Sequence, residues 1–236
     1  MPNYLETALT IDDLVDGNSD CIEEYLNIYQ TLFPQYGRYI PLMRKRAEKK
    51  QDGEVNESWH QWLLSVNGIP AGIVGFLYNK MRNLGLLMDF AILKEFRPIA
   101  TPGQTRFSHY ILTLVMQQLI LDAKSNGKNT PLCLAAEVEY PSLVRKYKEY
   151  GYVQFPVEYF EPPSTPELIE IYDETKILDK LEYERMFIGA FPIPGIQVSL
   201  NDPMIIKTVL LAFLEDHYRL PSEHWMIQKL IQEIPV

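Results

Sequence analysis

Hydrophobic and polar residues follow strand-like patterns along much of the first hundred positions. Two such runs, 59–66 and 69–78, flank Asn67-Gly68, a dipeptide that strongly favours a tight hairpin turn. The apolar run 84–93 adds a further antiparallel strand, and 5–10 predicts a first strand near the start of the chain. The pattern therefore predicts a sheet that is built early in the sequence.

Apolar residues three or four positions apart predict helices elsewhere in the chain. The longest pattern ends at Ala123 and is followed by Gly127, a residue type that suits a helix C-terminus. The predicted helices cover 12–33, 41–50, 111–123, 141–150, 167–181, 203–214 (with Asp202-Pro203 at its start) and 225–234. Short apolar runs predict strands over 131–138, 152–159 and 183–191, and we expect the last two to pair.

The composition narrows the possible functions. The chain has 236 residues and a formal net charge of −9, which argues against a nucleic-acid-binding surface and suits a cationic substrate. Cys21 and Cys133 provide no disulfide framework, so we expect a reducing, cytoplasmic location. The N-terminus shows neither a signal peptide nor a membrane span, and the four histidines lack metal-ligand spacing. We expect no metal, no nucleic-acid partner and no membrane contact.

Two short motifs flank the long predicted helix. Residues 90–97 read Phe-Ala-Ile-Leu-Lys-Glu-Phe-Arg, an apolar run that ends in a charged turn, and residues 147–152 read Tyr-Lys-Glu-Tyr-Gly-Tyr. In these motifs, and in the order of elements around them, the chain resembles the GCN5-related N-acetyltransferase (GNAT) superfamily. The resemblance implies an α+β fold with a central mixed, mostly antiparallel sheet flanked by helices. It also implies transfer of an acyl group from acyl-coenzyme A to an amine.

The resemblance places the coenzyme A pyrophosphate at the loop that follows Arg97. The family carries Gly-x-Gly there, whereas this chain has Ala100 in the first position and its next glycine one place late. Backbone amides at a helix N-terminus can hold an anion without a particular side chain. The implied phosphate-binding groups are Arg97 and the amides of Gly103, Gln104, Thr105 and Arg106. The alternative interpretation of this glycine-poor loop is an ordinary connection between a strand and a helix.

The resemblance also assigns roles to the groups around the reacting atoms. In the family, the fourth strand splays from the fifth, and its backbone pairs with the pantetheine arm and polarises the thioester. Here that role falls on the backbone of Ala91, Ile92 and Leu93. Tyr147 matches the tyrosine that protonates the departing thiolate, and its alternative is a tyrosine packed in the core. Asp89, Glu137 and Glu139 are the candidate bases for the amine, and a surface or edge carboxylate is the alternative for each.

We therefore predict an acyl-CoA-dependent N-acyltransferase that moves an acetyl group from acetyl-CoA to an amine on a small molecule or peptide. The alternative is a non-catalytic domain of the same fold that binds coenzyme A or a partner protein. We predict an acyl-CoA-binding core over 1–160, an insertion and final strand over 161–200, and a helical extension over 201–236. That extension would cap the core, line the acceptor site or form a homodimer contact, and the sequence favours none of the three.

Overall fold

Two compact units make up the chain, of which the computed structural model describes residues 8–15, 18–48, 56–99, 101, 105–172 and 182–235. The first unit takes the described residues of 1–77 and 88–114, and the second takes those of 78–87 and 115–236. The boundaries predicted at residues 160 and 200 stay predictions.

The first unit combines antiparallel strands with helices that carry its core side chains. Its core packs Tyr25 and Tyr29 against Leu63 and Ile73. The elements are β1 (Leu9–Asp13), α1 (Ile22–Leu32), a 3-10 segment (Pro34–Tyr39), α2 (Ile40–Glu48), β2 (Glu57–Val66), most of β3 (Ile69–Asn79), the second half of β4 (Leu84–Ile92), a 3-10 turn (Lys94–Phe96) and the start of α3 (Phe107–Ser125).

β2 and β3 form the hairpin that the sequence predicts. Asn67 and Gly68 have φ angles of 53° and 77°, the left-handed backbone that a two-residue hairpin turn requires. The Asn67 side chain also accepts a hydrogen bond from the amide of Ala8 at 3.0 Å, which ties the turn to the residue before β1. The predicted hairpin is confirmed.

The helix predicted over 12–33 is wrong at its start, because Asp13 belongs to β1 and α1 begins at Ile22. The Asp13 carboxylate accepts a hydrogen bond from the amide of Gln61 at 3.0 Å and lies 2.5 Å from Nδ1 of His60. Pairing with β2, a strand distant in sequence, therefore decides the conformation that local helical periodicity misassigned.

The second unit contains the rest of the sheet and the C-terminal helices. It holds the first half of β4, the remainder of α3, β5 (Cys133–Val138), α4 (Pro141–Lys148), β6 (Val153–Gln154), β7 (Tyr159–Glu161), α5 (Pro166–Tyr172), β8 (Glu184–Pro192), α6 (Pro203–Leu211), a π-helical segment (Ala212–His217) and α7 (Trp225–Glu233). Among the predicted elements that extend past the described residues are 5–10, 41–50 and 167–181, of which 5–7, 49–50 and 173–181 lie outside them.

Over the described residues the strands form an eight-stranded sheet in the order β1-β2-β3-β4-β5-β8-β6, with β7 also paired to β8. β4 and β5 run parallel, from Gly85↔Leu134 to Leu87↔Ala136, while β8 is antiparallel to β5, β6 and β7. The fold is thus α+β with a mixed, mostly antiparallel sheet and flanking helices, as predicted. The predicted partner of β8 was incomplete, because β8 pairs along β5 from Cys133↔Pro192 to Val138↔Phe187 as well as with the two short strands.

The C-terminal helices begin where the sequence predicts them. Asp202 caps α6 by accepting a hydrogen bond from the amide of Met204 at 2.8 Å, and Pro203 takes the first helical position. Arg82, in the turn before β4, holds the segment that follows: its guanidinium lies 2.6 Å from Asp216 and 2.8 Å from Glu215. Since these groups are largely buried, the contact fixes the C-terminal part of the second unit to its sheet.

Two features are absent from the described residues. No helix there is long and apolar enough to cross a membrane. No cluster of three or more His, Cys, Asp or Glu side chains within the same described ranges could hold a metal ion.

Candidate functional site

The backbone at the end of β4 alternates between two directions. The amide of Leu93 donates to the carbonyl of Ala71 in β3 at 2.9 Å, and the Ala91 carbonyl closely approaches Gly72 of the same strand. Because successive residues of a strand direct their backbone groups to opposite edges, Ile92 presents its amide and carbonyl away from β3. That carbonyl accepts a hydrogen bond from Arg97 Nε at 2.9 Å. Of the three backbone positions predicted to meet pantetheine, Ile92 is therefore the one turned outward.

Two threonine side chains meet in the segment that precedes α3. The hydroxyl of Thr101 donates to the carbonyl of Thr105 at 2.6 Å and lies 2.8 Å from its hydroxyl. The first helical hydrogen bond runs from the amide of Tyr110 to the carbonyl of Arg106 at 3.0 Å, so the amides of 107–109 precede the helical ladder. Gly103 and Gln104, two of the predicted phosphate-binding residues, lie outside the described residues.

Asp89, which is partly buried, belongs to a polar cluster in the first unit. One of its carboxylate oxygens, Oδ2, and the hydroxyl of Tyr25 both approach the same side of Gly75. A Cβ atom added to Gly75 would lie 2.9 Å from Oδ2 and 3.3 Å from the Tyr25 oxygen. Gly75 therefore leaves room between a carboxylate and a hydroxyl that any larger residue would fill.

The electrostatics of this cluster set it apart from an ordinary surface carboxylate. Removal from water raises the pKa of Asp89 to about 7, and the charge of Arg46 opposes that rise. Burial, reinforced by the nearby Asp89 charge, raises the pKa of Tyr25 well above its usual value. The Tyr25 hydroxyl is fully buried and has no hydrogen-bond partner among the described residues. An unsatisfied buried hydroxyl costs about 1–3 kcal/mol, a cost that a bound polar group would relieve.

Glu137 is the centre of a second polar cluster, in the second unit. Its two carboxylate oxygens accept hydrogen bonds from tyrosine hydroxyls, Oε1 from Tyr159 and Oε2 from Tyr218 at 3.0 Å. Burial raises the pKa of Glu137 to about 7, and the two tyrosine hydrogen bonds oppose the rise. Glu137 is therefore a positioned, partly buried group and not the surface carboxylate that the alternative reading of the sequence allowed.

Tyr147 lies in α4 with its ring buried against other aromatic rings of the second unit. The ring centroids of Tyr152 and Phe191 are 6.0 Å and 5.2 Å from its own, both in edge-to-face arrangements. Burial raises the pKa of Tyr147, so its hydroxyl keeps its proton at neutral pH. A general acid needs this neutral form of the hydroxyl. The packing of the ring agrees equally with the alternative, a tyrosine that only fills the core.

Sequence patterns missed several residues of the two clusters, namely Tyr25, Gly75, Tyr159 and Tyr218. The spacing of Tyr25 and Tyr29 marks one face of α1 but does not show that a carboxylate faces them. An isolated glycine inside a strand pattern, as at Gly75, signals a close approach and was the one available cue. Nothing in the local sequence connects Tyr218 with β5, because that contact depends on the path of the C-terminal helices.

Several solved structures of acetyltransferases are similar to this chain. No protein-family model matches it, and no curated protein matches it. GCN5 from Tetrahymena is 12% identical, with a TM-score of 0.46, over 80% of this chain and 99% of the other. The ribosomal-protein-S18-alanine N-acetyltransferase from Escherichia coli is 14% identical, with a TM-score of 0.43, over 81% of this chain and 99% of the other.

A third similar structure, an aminoglycoside 6′-acetyltransferase type Ii, is 9% identical over 79% of this chain and 99% of its own, with a TM-score of 0.45. At TM-scores below 0.5 these likenesses assign neither a substrate nor a mechanism to the chain.

Proposed function

We propose that this chain is an acyl-CoA-dependent N-acyltransferase that moves an acetyl group from acetyl-CoA to an amine. The observation that carries the proposal is the cluster of Asp89, Tyr25 and Gly75. It joins a carboxyl group whose pKa is raised to about 7 by burial to a buried hydroxyl that has no hydrogen-bond partner among the described residues. Such a pair suits an ammonium group, which offers several hydrogen-bond donors and must lose a proton before it can attack a carbonyl.

On the donor side, the proposal assigns the acyl-CoA contacts to residues of the first unit. Acetyl-CoA supplies the thioester carbonyl that the amine attacks. Ile92 offers its outward amide to the pantetheine arm, while Ala91 and Leu93 hold β4 against β3. The amides of Thr105 and Arg106, which directly precede α3, are the proposed contacts for the pyrophosphate. Arg97, Gly103 and Gln104 keep the phosphate-binding roles that the resemblance implies.

Two proton transfers complete the proposed reaction. Asp89, ionised above its pKa of about 7, accepts the proton that the amine releases, and a new carbon–nitrogen bond forms. Tyr147, which keeps its hydroxyl proton at neutral pH, donates it to the sulfur as the carbon–sulfur bond breaks. The products are an amide and free coenzyme A. Glu137 is the second candidate for the base.

The proposed acceptor is an amine on a small molecule or a peptide, in line with the net charge of −9. Neither Cys21 nor Cys133 forms a disulfide in the structure, in keeping with the proposed cytoplasmic location. A homodimer built on the C-terminal helices stays a prediction.

One contact favours the alternative of a non-catalytic domain of the same fold. Arg97 donates to the outward carbonyl of Ile92 and so occupies a backbone group that the family leaves to pantetheine. Under this alternative, the chain would bind coenzyme A or a partner protein and would release no thiol from acetyl-CoA with any amine.

The test combines binding with turnover. Calorimetry with coenzyme A and with acetyl-CoA measures affinity, and release of free thiol from acetyl-CoA across a panel of primary amines measures transfer. We expect binding, a higher melting temperature at millimolar coenzyme A, and thiol release that depends on the amine. Binding without thiol release supports the alternative, and absence of binding excludes both functions.

The Gly75→Ala variant tests whether the space beside Asp89 is used. Its added methyl group should raise KM for the amine or abolish turnover, because that group would lie 2.9 Å from the carboxylate oxygen. Gly37→Ala is the matched control, since a Cβ there meets no atom within 4 Å. Equal loss of coenzyme A binding in Gly75→Ala would indicate a general structural effect and contradict an acceptor role.

A further inference from the structure

The hydroxyl of Tyr218 lies between two carboxyl groups of the second unit. It is 3.0 Å from Oε2 of Glu137 on β5 and 3.3 Å from Oε1 of Glu161 on β7. The hydroxyl of Tyr159 donates to the other oxygen of Glu137. Tyr159, Tyr218 and Glu161 are all buried. The two carboxyl groups are therefore linked through one phenolic oxygen in a region from which water is largely excluded.

The number of available protons limits which hydrogen bonds can form between Tyr218 and the two carboxyl groups. A tyrosine hydroxyl has one proton and donates it to one acceptor at a time. When the Tyr218 hydroxyl donates its proton to Glu137, the Tyr218 oxygen can only accept a hydrogen bond from Glu161. Glu161 can donate that hydrogen bond only if its carboxyl group is protonated. When Tyr218 donates to Glu161, the same requirement passes to Glu137. Two ionised carboxylates on one hydroxyl also repel each other, as in other carboxyl pairs that retain a proton.

The C-terminal part of the chain sets the position of Tyr218. The residue follows the π-helical segment Ala212–His217, and its amide donates to the carbonyl of Phe213 at 2.8 Å. Asn79 and Arg82 hold Asp216 of the same segment at 2.7 Å and 2.6 Å. Single turns of π-helix occur often at functional sites, where they redirect a side chain. Here the turn and its anchor aim Tyr218 at the strand that carries Glu137.

Other titratable groups surround the pair and bear on its titration. Tyr152 donates to the carbonyl of Ala136 at 3.2 Å, and the ring of His217 lies edge-on to that of Tyr218 with centroids 4.8 Å apart. On β8, Glu184 pairs with Glu161 in register, and Arg185 pairs with the residue before it.

We propose that Tyr218 is a positioning residue for Glu137, and that it couples Glu137 to Glu161 so that the two carboxyl groups share one proton. The C-terminal segment is then part of the chemistry of β5 and not only a cover for the core. The raised pKa of Glu137, about 7, agrees with a proton that is retained to near neutral pH. The positioning role of Tyr218 in turnover rests on the proposed function. The shared proton is independent of that function.

The first experiment follows the carboxyl groups directly, without turnover. Full-length protein labelled with ¹³C at the glutamate carboxyl carbon is titrated from pH 5 to pH 9 by NMR, and Glu137→Gln assigns the resonance. We expect one glutamate to titrate near neutral pH. If no glutamate resonance that disappears in Glu137→Gln titrates between pH 6 and pH 8, the inference is wrong.

Two further variants should shift the midpoint in opposite directions. Tyr218→Phe removes a donor to the Glu137 carboxylate, so we expect a rise of about one pH unit. Glu161→Gln removes a neighbouring negative charge, so we expect a fall of similar size. Tyr183→Phe, which alters an exposed tyrosine, is the control and should leave the midpoint unchanged. Unchanged midpoints in Glu161→Gln, or in a folded Tyr218→Phe, would overturn the coupling. Should Tyr218→Phe not fold, Glu161→Gln decides alone.

Thiol release then separates this inference from the proposed function. If Glu137 takes part in transfer, the pH profile of kcat/KM should move with the NMR midpoint in both variants, whereas a purely structural contact would lower the rate without moving the profile. A profile that stays in place while the NMR midpoint moves removes the positioning role and leaves the shared proton. Absence of turnover in the unaltered protein rejects the proposed function, and the titration still tests the shared proton.

Discussion

At the scale of single residues, desolvation is the dominant influence on the candidate groups. Burial raises the pKa values of Asp89 and Glu137 to about 7, against ordinary values near 4. Each carboxyl group lies beside tyrosine hydroxyls of its own unit. Strongly perturbed carboxyl groups next to polar partners are typical of functional sites, and this is the physical reason for preferring them over other acidic residues of the chain.

Asp89→Asn should change both stability and turnover. The pKa of Asp89 is raised on folding, so the protonated form stabilises the folded state, and that contribution is lost as pH rises from about 4 through about 7. The variant does not ionise, so urea unfolding should show its stability rising relative to the unaltered protein between pH 4 and pH 7, by up to about 4 kcal/mol. Thiol release should fall by about 10²–10⁴-fold. Exposed Asp20→Asn is the control for both measurements.

Tyr147→Phe should slow turnover while coenzyme A affinity stays nearly unchanged. The substitution keeps the ring that packs on Tyr152 and Phe191 and removes only the hydroxyl. If protonation of the thiolate limits the rate, thiol release should drop by about 10²–10⁴-fold. Tyr150→Phe, in the turn that follows the helix, is the control. Equal rates for Tyr147→Phe and the unaltered protein, with chemistry shown to be limiting, would return Tyr147 to a packing role.

At the scale of elements, close backbone contacts determine which strands meet. β8 pairs with β5 on one side and with the two short strands on the other, and Gly189 of β8 allows that approach. A Cβ on Gly189 would overlap the carbonyl oxygen of Val153 and would lie 2.7 Å from the ring of Tyr152. A backbone atom cannot move aside as a flexible side chain can, so this position tolerates no side chain without displacement of a strand.

Gly189→Ala should therefore destabilise the second unit. Overpacking of a well-packed interior typically costs about 1–3 kcal/mol, which should appear as a lower urea midpoint. The shift of Tyr152 should also disturb its hydrogen bond to Ala136, next to Glu137. Gly37→Ala, with no atom within 4 Å of the new methyl, should leave the midpoint unchanged or slightly higher. A Gly189→Ala protein as stable as the control would contradict the register of β6 on β8.

At the scale of the whole molecule, the C-terminal helices behave as part of the fold. Ile206, Val209, Phe213 and Leu214 are each at most 1% exposed, so these side chains are core residues of the second unit. The ion pairs of Arg82 add a buried polar anchor. Removal of either partner of such a pair leaves an uncompensated charge, which is costly in a buried environment.

Truncation after Leu200 should cause aggregation or a large loss of stability. It would remove the buried apolar side chains of α6 and the π-helical segment, so the part of the second unit on which they pack would become exposed. It would also leave Arg82 without its two carboxylate partners. It would also remove Tyr218 from Glu137. Size-exclusion chromatography with light scattering and a thermal melt provide the measurement. A truncated protein that stays monomeric, soluble and equally stable would show that the extension is dispensable.

Sequence patterns alone predicted the elements that depend on local interactions. The Asn67-Gly68 turn, the Asp202 cap, the long helix α3 and the strands β2 and β3 follow from backbone preferences and the pattern of apolar residues, which a short segment carries within itself. Tertiary structure decided the start of α1, the pairing of β8 with β5 and the surroundings of Asp89 and Glu137. Those features depend on contacts between residues far apart in the chain. The raised pKa values of both carboxyl groups come from burial by other elements, so no local pattern encodes them.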